Sequence, residues 1–243
     1  TIPVQPDATM RLDDIRAAIR PDNAHFPPTR LIMLENTHNA AGGQPITVEY
    51  TNQVAAIAKE HGIKLHIDGA RIFNAAAALG VDVKALTEHA DSVTFCLSKG
   101  LCAPVGSVIV GSRDFIKRAH RMRKVVGGAM RQAGVLAAAG LVALRTMPQR
   151  LHEDHTHAAL LAEGLSEVPH VKVLSNATNF VFITLGENSP YNASQLSEIL
   201  KRDYNIIISP YPGVPNKIRL VTHYWITRDR VEQVIEAFKA VLS

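Results

Sequence analysis

The sequence predicts an α/β fold with a mostly parallel sheet, followed by a smaller C-terminal α+β domain. Three observations carry this. Short apolar runs alternate with stretches of helical period over residues 1–148. From about Gln149 the apolar runs take hairpin-like spacing, with helices between them. Apolar residues make up 47% of the 243, the share of an ordinary folded chain with ample core.

In order, Arg11–Ile19 is read as a helix with Asp13 and Asp14 in its first turn, where carboxylates favour the helix dipole. Leu31–Leu34 is a short buried strand, followed by a polar loop through Ala41-Gly42-Gly43. Val48–His61 has helical period and stops at Gly62. Lys64–Ile67 is the next strand, with Asp68 at its C-terminal end, and Arg71–Leu79 is a small-residue helix stopped by Gly80. Ser92–Leu97 and Val105–Val110 are strands. Arg113–Lys124 is a basic helix, and Arg131–Thr146 contains the longest apolar run, Ala133–Leu144, expected to be a buried core helix. The second domain reads as a helix from Pro148 through Val168, strands Val171–Leu174 and Asn179–Leu185, a helix Ser194–Tyr204, strand Lys217–Thr222 and a last helix Arg228–Leu242.

Composition excludes several classes. Two cysteines cannot staple a chain of 243 residues and suit a reducing, cytoplasmic setting. No apolar run reaches the roughly 20 residues of a membrane span. A net charge of +4 admits an anionic ligand without calling for nucleic acid. The basic stretch Arg113–Lys124 lacks the aromatic residues that stack on bases. His152, Glu153, Asp154, His155 and His157 resemble a metal cluster, but their spacing fits a solvated helix face better, and no metal is expected.

Ligands of parallel α/β sheets lie beyond the strand C-termini. Asp68 and Lys99 both fall there, on strands separated by a helix. A lysine at the mouth of a buried strand is desolvated, which favours the neutral amine that Schiff-base chemistry needs. A carboxylate at the neighbouring strand end suits the ring nitrogen of pyridoxal phosphate, whose protonated ring accepts electrons freed at Cα. The pair, in this order, favours that cofactor over a snorkelling lysine and a helix-capping aspartate.

Five motifs extend the pattern: Leu34-Glu35-Asn36-Thr37-His38-Asn39, His66-Ile67-Asp68-Gly69-Ala70-Arg71, Cys96-Leu97-Ser98-Lys99-Gly100-Leu101, Gly127-Gly128-Ala129-Met130-Arg131-Gln132 and Arg219-Leu220-Val221-Thr222-His223. In this order the chain resembles the threonine aldolase family over nearly its whole length. The resemblance implies the aspartate-aminotransferase-type (fold type I) PLP-dependent transferase fold, with residues 1–148 in the large cofactor-binding domain and 149–243 forming the small one. It implies retro-aldol cleavage of L-threonine or L-allo-threonine to glycine and acetaldehyde, and a homotetramer. Lys99 would hold the cofactor as a Schiff base and Asp68 would pair with its ring nitrogen. Arg71 would lie beside the cofactor and contribute to carboxylate binding, with Arg219 as the main carboxylate clamp. His38 would lie near the substrate β-hydroxyl as the candidate base. Arg131 and Lys124 match basic positions near the site or the subunit interface, and His223 is left without a role. Another PLP-dependent lyase or a transaminase would share Lys99 and Asp68, and a module binding anions or nucleic acid is a distant alternative.

The resemblance also implies a preceding segment with a glycine-rich phosphate cradle and a histidine stacked on the cofactor ring. Thr1–Pro28 contains no glycine, and its one histidine, His25, stands beside Phe26-Pro27-Pro28. The expectation is therefore a C-terminal part of a longer polypeptide, or one of two chains that complete each other.

Overall fold

A computed structural model describes residues 1–243. The chain divides into two compact units, Thr1–Gln149 and Arg150–Ser243. The first contains α1 (Leu12–Ala18), β1 (Leu31–Glu35), α2 (Val48–Glu60), β2 (Lys64–Asp68), α3 (Ile72–Leu79), α4 (Val83–Thr87), β3 (Ser92–Cys96), β4 (Ser107–Gly111), α5 (Arg113–Val125) and α6 (Gly134–Thr146). Its sheet runs β1-β2-β3-β4, with the first two pairings parallel and β4 antiparallel to β3.

Period-two alternation sets the two faces of this sheet. Ile32, Leu34, Leu65 and Ile67 point into the core, Ile32, Leu34 and Leu65 packing with Val54 and Ile57 of α2, and Ile67 with Ile72 of α3. Leu31, Met33, His66, Asp68 and Thr94 alternate with these core positions and are exposed or half-buried. Helix stops follow the sequence: Gly80 closes α3 at φ +65°, where a side chain would be strained. The short α4, absent from the sequence reading, starts at Asp82, whose carboxylate accepts from Lys84 N–H at 2.8 Å.

The long apolar run is not the buried core helix its composition suggests. The Ala133–Leu144 run is helical, but of α6 only Gly140 and Ala143 are buried, while Val135 and Val142 are 71% and 63% exposed. A helix apolar on every side cannot bury all its faces against the few elements this chain brings to it. Likewise α5 has no buried residue.

The second unit contains α7 (Leu151–Ser166), β5 (Val171–Asn176), β6 (Phe180–Leu185), α8 (Ala193–Tyr204), β7 (Lys217–Val221) and α9 (Arg228–Leu242). The helix expected from Pro148 is divided into a 3-10 turn, Met147–Arg150, and α7. The sheet β5-β6-β7 is antiparallel throughout. Leu161, Leu165, Val181, Ile183, Ile218 and Phe238 form its core. No helix is long and apolar enough to cross a membrane.

Candidate active site

Parallel pairing brings the ends of β1, β2 and β3 to one edge. Glu35 pairs in register with Asp68, and Asp68 with Thr94. Backbone bonds continue past the strands: Asn36 N–H donates to the Asp68 carbonyl at 2.9 Å, and Gly69 N–H to the Thr94 carbonyl at 2.7 Å. The segments bearing His38, Asp68, Arg71 and Lys99 thus all leave from this edge.

Asp68 is half-buried, and its Oδ1 accepts from Ala70 N–H at 3.1 Å. Gly69 is held so close that an added Cβ would stand 2.8 Å from the Thr94 carbonyl oxygen. Arg71, also half-buried, occupies the N-cap of α3, and its carbonyl accepts from Asn74 and Ala75 N–H. His66, two residues before Asp68 and on the same face, is hydrogen-bonded through Nδ1 to Ser92 Oγ at 2.8 Å. The strand period alone could have singled out His66 as a neighbour of Asp68.

Lys99 rides a short loop between two buried anchors, Leu97 and Leu101. Its carbonyl accepts from Cys102 N–H at 2.9 Å, and Ala103 N–H donates to the Leu97 carbonyl at 2.9 Å. Ser98 and Lys99 themselves are exposed. The desolvation expected at this strand mouth is not provided by the chain's own residues, because the loop turns outward once Leu97 is buried.

The loop after β1 is tied internally. Asn36 holds Ile46 by both amide atoms, accepting from its N–H at 3.0 Å and donating to its carbonyl at 2.9 Å. His38 Nδ1 accepts from Ala41 N–H at 3.2 Å, so the neutral ring carries its proton on Nε2. Nε2 lies 3.7 Å from Glu35 Oε2, longer than a hydrogen bond and an ion pair only when the ring is protonated. Glu35 Oε1 accepts from Asn39 N–H at 3.0 Å. Glu35 is the member of this group that sequence reasoning missed.

Arg219 lies in the second unit, on β7. Its guanidinium stands 5.3 Å over the Phe180 ring. His223 follows the end of the same strand, and its Nδ1 accepts from Trp225 N–H at 3.3 Å. Arg131 and Lys124 are exposed.

The donor set fits pyridoxal phosphate at two ends: an amine for the carbonyl carbon at Lys99 and a carboxylate for the ring nitrogen at Asp68. Thr37 at the same edge is 1% exposed, and its hydroxyl has no partner in the protein. It is a buried polar atom free to bond a ligand.

Residues 1–188 match the beta-eliminating lyase family. The chain is 48% identical to low-specificity L-threonine aldolase 1 of Arabidopsis thaliana, covering 100% of this chain and 68% of that protein. It is 45% identical to the low specificity L-threonine aldolase of Escherichia coli K12, covering 98% and 68%. Among solved structures, Leishmania major threonine aldolase superimposes with a TM-score of 0.77 at 21% identity, covering 98% of this chain and 69% of that one. A PLP-dependent aminotransferase from Streptococcus suis 89-1591 gives 0.72 at 17% identity, covering 99% and 63%. These structural likenesses establish the aspartate-aminotransferase-type, fold type I architecture.

Proposed function

The chain belongs to the beta-eliminating lyase family and, within it, to the threonine aldolases, and we propose that it performs the pyridoxal-phosphate-dependent cleavage of L-threonine and L-allo-threonine to glycine and acetaldehyde. The observation that carries this reading is the shared edge of β2 and β3, from which Asp68 and the Lys99 loop both leave.

When bound, pyridoxal phosphate supplies an electron sink for the pair left at Cα when the Cα–Cβ bond breaks. Lys99 is the amine that would hold it covalently, and Asp68 is the carboxylate that would pair with its ring nitrogen. Arg219 would take the substrate carboxylate in its planar fork, and Arg71 would lie beside the cofactor.

The β-hydroxyl must lose a proton as the C–C bond breaks. His38, or a water it holds, is the acceptor. Its Nε2 faces Glu35, so the basic atom is Nδ1, which releases the Ala41 N–H bond as it takes the proton. Glu35 then faces an imidazolium, the arrangement in which a carboxylate orients and stabilises a histidine base.

We place Thr1–Gln149 as the cofactor-binding part and Arg150–Ser243 as the small domain. The exposed apolar side chains of α6 support association with further copies of the chain, as a tetramer in the manner of the family. The free cysteines Cys96 and Cys102 suit the cytoplasm, where threonine breakdown would deliver glycine. Neither a nucleic acid nor a membrane partner is part of this reading.

The test is Lys99→Ala in the assembled holoenzyme. Loss of both the cofactor's visible absorbance and acetaldehyde release is expected, and full turnover would overturn the assignment. Pyruvate with ammonia, or a keto acid, as wild-type products would replace the retro-aldol reading with β-elimination or transamination.

A further inference from the structure

The second unit buries a polar cluster where α7 meets the ends of β6 and β7. Asp154 is 0% exposed. Arg150 Nη2 donates to Asp154 Oδ1 at 2.9 Å. Thr222 Oγ1 donates to the Asp154 backbone carbonyl at 2.6 Å. Asn179 Nδ2 donates to the Thr222 carbonyl at 2.9 Å, and Thr222 N–H donates back to the Asn179 carbonyl at 3.0 Å. Three segments far apart in sequence are thereby joined at Thr222.

The bonds within the protein leave four buried atoms without a partner: Arg150 Nη1, Asp154 Oδ2, His157 Nδ1 and Asn179 Oδ1. Such groups are costly unless something else satisfies them. With His157 protonated at Nδ1, the set is two donors and two acceptors. A water both donates and accepts, so it can partner buried groups of either kind.

The location gives the cluster a consequence. β7 has only β6 beside it in the sheet, and on its other side a single bridge from Ile218 to Pro210 holds its start, leaving its C-terminal end to one ladder. Its last ladder pair is Val221 with Phe180, and Thr222 follows directly. Arg219 pairs with Phe182 two steps earlier. An edge strand held by one ladder frays at its ends, and the Thr222 bonds give this end a second anchor on α7.

We propose that Arg150, Asp154, Asn179 and Thr222, joined by these hydrogen bonds, form a positioning lock on the end of β7 that sets where Arg219 presents its guanidinium. The functional half of the proposal rests on Arg219 being the carboxylate-binding residue. The residues of the lock are positioning residues and touch no substrate.

The experiment uses the assembled holoenzyme with Thr222→Val, which keeps the shape and removes the hydroxyl, and Thr222→Ser, which restores it. The expected result for Thr222→Val is a KM for L-threonine and a Kd for glycine raised about tenfold, with kcat within about twofold. Thr222→Ser returns both to the wild-type range. A lowered melting temperature with unchanged KM and Kd would overturn the lock and leave a merely structural contact. If the wild type binds glycine but releases no acetaldehyde from threonine, the retro-aldol reading fails, while the lock is still decided by the glycine affinity.

Discussion

Gly69 lies against Thr94 so closely that the two share one contact of both kinds: the Gly69 N–H donates to the Thr94 carbonyl at 2.7 Å, and a Cβ on Gly69 would stand 2.8 Å from that same oxygen. The backbone approach, with Asp68 immediately before it, ties the carboxylate to β3, the strand that leads to Lys99. Gly69→Ala must push β2 and β3 apart at this edge. A loss of about 1–3 kcal/mol is expected from such overpacking, together with weaker cofactor binding. Thermal unfolding and titration of the cofactor's visible band would measure the two, and an unchanged band affinity would separate the Asp68 position from the strand contact.

Asp68→Asn tests the ring-nitrogen assignment without changing volume. Asn can no longer stabilise a protonated ring, so electron withdrawal from Cα weakens. Binding should persist, since Lys99 is untouched. Turnover should fall by about a hundredfold or more, the scale of a lost proton-stabilising group. Equal kcat in the variant and wild type would move the charge-balancing role to another residue, with Glu35 and His66 titratable neighbours of Asp68 on that face.

Much of this edge was legible in the sequence, because strand ends in a parallel sheet converge and because Asp68 and Lys99 close two successive apolar runs. Apart from the short α4 and the 3-10 turn before α7, the strand and helix order followed from apolar period and glycine stops. What could not be read were relations between positions distant along the chain. Nothing local marks Thr222 as the partner of Asp154, 68 residues earlier. Nor does the sequence show that Leu97 and Leu101 turn Lys99 outward. The burial of α6 was overestimated for a related reason: its apolar character reports that it seeks contact, without saying whether this chain supplies it.

Glu35 and His38 should be separable by paired substitution. His38→Phe removes the base and should lower kcat by about 10²-fold or more. Glu35→Gln keeps the acceptor for Asn39 N–H but leaves no charge opposite the imidazolium, so a smaller loss of about tenfold is expected. The double variant should be no worse than His38→Phe, since Glu35 acts through the ring. Additive losses would show that Glu35 contacts the reacting atoms by itself. Glycine α-proton exchange in heavy water should survive in all three, because it does not involve the β-hydroxyl.

The exposed apolar face of α6 gives a prediction about assembly. Val142 is 63% exposed and Leu141 52%. Val142→Glu costs the isolated chain little, because the side chain already meets water. It places a charge where a partner would exclude solvent, and an unpaired charge in such a contact is strongly unfavourable. Light scattering should show a smaller assembly for the variant, with the helical content by circular dichroism unchanged. An unaltered mass would mean that copies associate through another face.

The opposite edge of the sheet carries a pH-dependent staple. Lys64 opens β2, Asp91 precedes β3, and Lys64 Nζ donates to Asp91 Oδ1 at 2.8 Å while Leu65 N–H donates to Oδ2 at 3.0 Å. Partial burial raises the Asp91 pKa, but these two donors outweigh it and hold the carboxyl below its ordinary value. A depressed folded value means that the ionised form is favoured by folding. The stability from this contact is therefore present at neutral pH and is lost as the pH falls through the folded value, beneath the ordinary carboxylate range. The side chains are 69% and 39% exposed, so solvent screening limits the ion pair to about 1 kcal/mol or less. Asp91→Asn should unfold at lower denaturant than the wild type at pH 7, with the difference shrinking in 1 M salt and vanishing in strong acid. A difference that grew on acidification would reverse the sign and show that Asp91 is held neutral in the fold.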